Sequence, residues 1–133
     1  MRLIQFLNEK NHFLEKFCSL NEKQISLLES GQFDEIERFY NQREDLLKIL
    51  KYIDAEIYKA HMSQKDSTTG FSDQQKHEIR DSLRTKEIYV KKILDQDLIV
   101  LSLIDDAKNR IIKELQDVQK TRKALAGYKS PAA

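Results

Sequence analysis

Apolar residues recur at three- and four-residue steps along nearly the whole chain, the period that puts side chains on one face of an α-helix. The first such stripe is Leu3, Phe6, Leu7, Phe13, Leu14, Phe17, Leu20, Ile25 and Leu28, predicting a helix over about residues 2–30. Ser30-Gly31 closes it, because glycine readily takes the left-handed conformation that ends a helix. Asp34 followed by Glu37 reads as a cap for a second helix over about 33–61, whose stripe is Ile36, Phe39, Tyr40, Leu46, Leu47, Leu50, Ile53 and Ile57. So short a connection makes the two helices antiparallel neighbours, an αα-hairpin.

Residues 62–72 lose the apolar period and read as an exposed, flexible loop. Ser72 with Gln75 forms a capping-box signature, and a third helix is predicted over about 73–126. Its stripe is Ile79, Leu83, Val90, Ile93, Leu94, Val100, Leu101, Ile104, Ala107, Ile111, Leu115, Val118 and Leu125, with Gly127 and Pro131 ending it ahead of a flexible tail at 127–133. The expected fold is all-α and a single helical domain over 1–133. It is an antiparallel hairpin plus a long third helix in a three-helix, coiled-coil-like bundle.

At ~1.5 Å per residue the third helix reaches roughly 80 Å, and each hairpin helix roughly 40 to 45 Å. The hairpin therefore leaves part of the third helix's apolar face to be covered otherwise: by a bend near Asp81–Thr85, by a homodimer, or by a partner protein. The segment Leu98-Ile99-Val100-Leu101-Ser102-Leu103-Ile104 sharpens the point, being apolar almost all the way round. Val100, Leu101 and Ile104 fall on the main face, and Ile99, Leu103 and Ile88 on a second. Such a segment belongs either in the middle of a core or against a client helix laid in a groove, where each large anchor contributes roughly 1.5 to 3 kcal/mol. The candidate partner contacts are Leu98, Ile99, Leu103, Ile111, Ile112, Leu115 and Val118.

Composition narrows the function classes. Three Gly, one Pro and 34% charged residues suit long helices. One cysteine, Cys18, allows no internal disulfide, and its ordinary role is a small apolar residue beside the stripe. No signal-peptide core follows Met1 and no run approaches the roughly 20 apolar residues of a membrane span, so a cytoplasmic protein is expected. The net charge of +1 conceals 7 basic against 2 acidic residues over 108–133. A basic helix end complements the helix dipole, and with Glu114 and Asp117 interrupting it, nucleic-acid binding is disfavoured.

Catalytic signatures are missing: there is no phosphate-binding glycine loop, C-x-x-C pair, nucleophile elbow or H-E-x-x-H helix. Glu9 and His12 make one E-x-x-H element, whereas a di-metal bundle needs two with two further carboxylates; His61 and His77 supply no second. No enzyme activity, metal or cofactor is expected.

The stretch Leu27-Leu28-Glu29-Ser30-Gly31-Gln32-Phe33-Asp34-Glu35-Ile36, followed by Gln42-Arg43-Glu44-Asp45-Leu46-Leu47, resembles the helix-turn-helix of FlgN/FliT-type flagellar export chaperones. The close match covers about twenty residues, and the layout of two helices, a polar loop and a long, basic-ended third helix covers nearly the whole chain. The resemblance implies a cytoplasmic chaperone, without a cofactor, that binds C-terminal helices of hook-associated or filament-cap proteins. It would deliver them to the type III export machinery, through the export gate or export ATPase. Tyr128 is the position that could match a gate-contacting tyrosine of FlgN-like members. The competing reading is a homo-oligomeric coiled-coil adaptor or spacer.

Overall fold

The computed structural model describes residues 1–65 and 70–129, excluding the side chains of Tyr128 and Lys129. It contains three helices, α1 (Arg2–Glu29), α2 (Ile36–Lys65) and α3 (Asp73–Lys129), with no strand among the described residues. The all-α class is therefore the fold observed. The chain divides into two compact units, Met1–Val100 and the segment from Leu101 onward.

Local chemistry sets the helix ends. Gly31 takes φ 77°, and the Gln32 N–H donates to the Leu27 carbonyl at 2.9 Å while the Gly31 N–H donates to that of Leu28 at 3.1 Å. That pair of bonds is a Schellman turn, which satisfies two carbonyls the end of α1 would otherwise leave free. Ser72 and Gln75 form the predicted reciprocal box: the Gln75 N–H donates to Ser72 Oγ at 3.1 Å, and the Ser72 N–H to Gln75 Oε1 at 3.0 Å.

Three boundaries differ from expectation. α2 starts at Ile36 rather than near 33, with the Glu35 carbonyl accepting from the Phe39 N–H. Among the described residues Asp34 makes no capping bond, because residues 34 and 35 are still in the turn. α2 also runs on to Lys65, into the predicted loop, since an existing helix gains one hydrogen bond per added residue without needing an apolar partner. Of the rest of that loop, 66–69 lie outside the described residues and 70–72 lead irregularly into α3. Gly127 does not stop α3, which continues to Lys129; a glycine in ordinary helical conformation costs only about 1 kcal/mol and ends a helix only by turning left-handed. Pro131 and the tail from 130 are outside the described residues. Helical structure is also uninterrupted through Asp81–Thr85.

In the first unit the Asp73–Val100 part of α3 joins the hairpin. Lys10 pairs with Asp54 at 2.6 Å, as antiparallel α1 and α2 require. Asn11 bonds to Ser82, Cys18 to Tyr89 and Asn21 to Gln96, so numbering rises together along α1 and α3, which run parallel. The buried positions follow a four-three spacing on each helix: Leu3, Leu7, Leu14, Phe17, Asn21, Gln24 and Leu28 on α1, Phe39, Leu50 and Ile53 on α2, and Ser82, Ile93, Gln96 and Val100 on α3. This is the seam of a coiled-coil-like bundle. Leu14, Phe17, Cys18, Leu50 and Ile93 form its apolar centre, flanked by Phe13, Leu46 and Tyr89.

One turn along, the seam turns polar. Asn21 is fully enclosed and donates to Gln96 Oε1 at 3.3 Å and to Asp97 Oδ1 at 3.2 Å, while Gln96 Nε2 donates to the Cys18 carbonyl at 3.3 Å. Arg43 of α2 completes the layer with two bonds to Asp97, at 2.6 and 3.0 Å, its guanidinium lying 5.0 Å from the centre of the Phe17 ring. A second polar tie stands further along: Ser82 Oγ donates to Asn8 Oδ1 at 2.7 Å and the Ser82 carbonyl accepts from Asn11 Nδ2 at 2.9 Å. Polar layers of this kind favour one register, because a slipped helix takes from Asn21 Nδ2 and Gln96 Nε2 the acceptors they have here.

Candidate protein-binding face

The expected partner contacts fall on α3, and the structure divides them between the two units. Leu98 and Ile99, in the first, are 68% and 46% exposed, large values for side chains of this size. They follow directly after Asp97, whose side chain is drawn inward by Arg43 and Asn21. With ~100° between successive residues, that fixes Leu98 and Ile99 on flanks of the helix turned away from the seam. Ile88, Leu94 and, less so, Leu83 and Val90 are also exposed. An open groove of about 300 Å³ runs beside them, lined by Lys10, Lys86, Glu87, Val90, Lys91 and Leu94.

The sequence reading assigned Leu83, Val90, Leu94 and Leu101 to the core stripe of α3, and the structure corrects this. Ile93 and Val100 are buried, whereas those four are exposed, Leu94 at 60% and Leu101 at 58%. Apolar letters alone made the stripe too wide: the true seam passes through Ser82, Tyr89 and Gln96, polar or amphipathic positions that an apolar count skips.

In the second unit every described residue from Lys108 to Gly127 is exposed. Ile111, Leu115, Val118 and Leu125 are 51%, 60%, 48% and 54% exposed, and their spacing places them along one stripe. Ile112 is displaced to one side of that stripe; Leu103, half-buried, is displaced to the other. Within the second unit the predicted contacts thus do not all share one face. Leu125, part of the expected apolar stripe but not among the expected partner contacts, is the addition the structure makes here. Tyr128 lies within α3, and its side chain is outside the described residues.

The series Leu101, Ile104, Lys108, Ile111, Leu115, Val118, Arg122 and Leu125 keeps an unbroken three-four alternation. Such spacing is what a helix presents to another helix rather than to a small molecule. Lys108 and Arg122 stand within the stripe, and of the eight charged residues between Lys108 and Gly127 only Glu114 and Asp117 are acidic.

Several titratable groups of the first unit have structural partners. Burial pushes the Cys18 thiol above its ordinary 9.0, and its Sγ approaches the Tyr89 carbonyl at 3.9 Å. The hydrogen bonds to Asp97 hold Arg43 above its usual value. The Glu22 carboxylate, 2.8 Å away, does the same for Lys92. His12 packs edge-on to Phe13 at 5.5 Å, and among the described residues no three His, Cys, Asp or Glu side chains cluster as a metal site would require. Nor is any described helix long and apolar enough to cross a membrane.

Compared with known proteins, the chain matches no family model, no curated protein and no solved structure.

Proposed function

We propose that this chain is a helix-binding protein that acts as a cytoplasmic chaperone of flagellar type III export, without catalysis or cofactor. Its clients would be C-terminal helices of hook-associated or filament-cap proteins, passed on to the export gate or export ATPase. The observation that carries the binding reading is the exposed stripe of Ile111, Leu115, Val118 and Leu125. Large aliphatic side chains repeated every turn and about half exposed gain roughly 0.7 to 1.8 kcal/mol each when a partner covers them completely, about half the value for a fully exposed side chain. The flagellar assignment rests on the resemblance of Leu27–Ile36 and Gln42–Leu47, which here form the turn between α1 and α2 and the first half of α2.

Co-purification with C-terminal segments of hook-junction and cap proteins tests the assignment: one of them should bind, and Leu115→Ser with Val118→Ser should abolish that binding while helicity and melting are kept. Absence of binding to all of them sinks the flagellar reading. A homo-oligomeric adaptor has the unbroken three-four spacing in its favour, and predicts a dimer that persists on dilution to nanomolar protein.

A further inference from the structure

We infer that the stripe on the second unit is built for an acidic amphipathic helix, one with carboxylates about two heptads apart, rather than for a second copy of this chain or a lipid surface. The inference deepens the helix-binding reading and rests on it.

Two cations interrupt the stripe, Lys108 and Arg122, fourteen residues apart and therefore roughly 21 Å apart along the axis. Both are exposed, and around them Arg110, Lys113, Lys120 and Lys123 outnumber Glu114 and Asp117. A second copy laid parallel and in register places Lys108 on Lys108 and Arg122 on Arg122. Laid antiparallel about Leu115, it places Lys108 on Arg122. Shifted by half a heptad, it sets each cation against an aliphatic residue with no counter-charge. All three arrangements desolvate positive charge without compensation. A helix bearing Glu or Asp opposite these two positions, with leucine-like residues between, pairs both cations and covers Ile111, Leu115 and Val118. Anionic lipid is the poorer fit: a helix lying in the membrane interface keeps its basic residues on the polar face and its apolar face free of charge, whereas Lys108 and Arg122 stand inside the apolar stripe.

The test uses the full chain and two synthetic amphipathic peptides with identical leucine seams, one carrying Glu and the other Lys at the two positions facing the cations. Calorimetric titration at low ionic strength should give about tenfold tighter binding of the Glu peptide, a gap that narrows as salt is added. In Lys108→Glu/Arg122→Glu, whose helicity is checked by circular dichroism, the preference should reverse. Equal binding of both peptides, an unchanged preference in the variant, tighter binding to phosphatidylserine-containing vesicles than to the Glu peptide, or self-association that excludes the peptide would each overturn the inference. Its failure is separable from that of the flagellar reading. Hook-junction or cap segments that bind wild type and charge-reversed chain alike leave the chaperone standing without the acidic requirement. A responding Glu peptide with no flagellar client leaves the acidic-helix site standing alone.

Discussion

Arg43 and Asp97 form a two-point clamp between α2 and α3, with Nη1 2.6 Å from Oδ1 and Nη2 3.0 Å from Oδ2. Both side chains are about three-quarters or more buried, and the same Asp97 oxygen that takes the shorter bond also accepts from Asn21 of α1. One carboxylate thus ties all three helices together, immediately before the exposed Leu98 and Ile99.

Removing either end of the clamp leaves its partner charged and poorly solvated. Arg43→Ala and Asp97→Ala should each lower stability by about 1.5–3 kcal/mol, with a coupling of about 1–2 kcal/mol in the double-mutant cycle. Urea unfolding measures both. Additive losses would mean that the two groups act independently despite their geometry.

Asn21 is enclosed and gives both of its amide bonds to α3. Asn21→Ala should cost about 1–3 kcal/mol, partly through the acceptors it strands on Gln96 and Asp97. A chemical melt that coincides with wild type would remove the polar layer from the account of stability.

Gly31 is held at φ 77° with open space where a Cβ would stand. Gly31→Ala should therefore destabilise by about 1–2 kcal/mol purely through its backbone, and Gly31→Asn by less, since Asn tolerates the left-handed region better. Equal losses for the two variants would point to side-chain packing instead.

Cys18, 3% exposed, is shielded by its neighbours, and burial raises its thiol pKa. Its folded-state pKa lies above the unfolded one, so its contribution to stability is complete below about pH 9 and is lost as pH rises towards and through the folded value. At pH 8 a thiol reagent should react roughly a hundredfold or more slowly with native than with urea-unfolded protein. Comparable rates would show that the centre of the first unit opens freely.

The two units should also differ in protection. Ile93→Ala, at a buried site, should cost about 2–4 kcal/mol, and Leu115→Ala, 60% exposed, less than about 0.5 kcal/mol. Amide exchange should be slow over Asp73–Val100 and fast from Lys108 onward in the free chain, and slow in both once a partner helix is bound. Strong protection of the C-terminal amides without any partner would argue for a cover supplied by a second copy.

The sequence by itself determined what local rules govern. Three- and four-residue spacing specified three helices, Ser30-Gly31 specified the end of α1 and Ser72 with Gln75 the start of α3, because periodicity and capping depend only on residues within a turn or two. The surplus apolar surface of α3 was likewise visible, since its spacing outlasts any hairpin partner. What tertiary structure decided is which side of α3 faces inward. Asn21, Gln96 and Ser82 hold seam positions that an apolar reading passes over, and Leu94 and Leu101, apolar by letter, are turned to water. The Asn21 and Gln96 amide groups sit inside because other helices bring their N–H groups acceptors. Those come from residues more than fifty positions away, so no local pattern announces them.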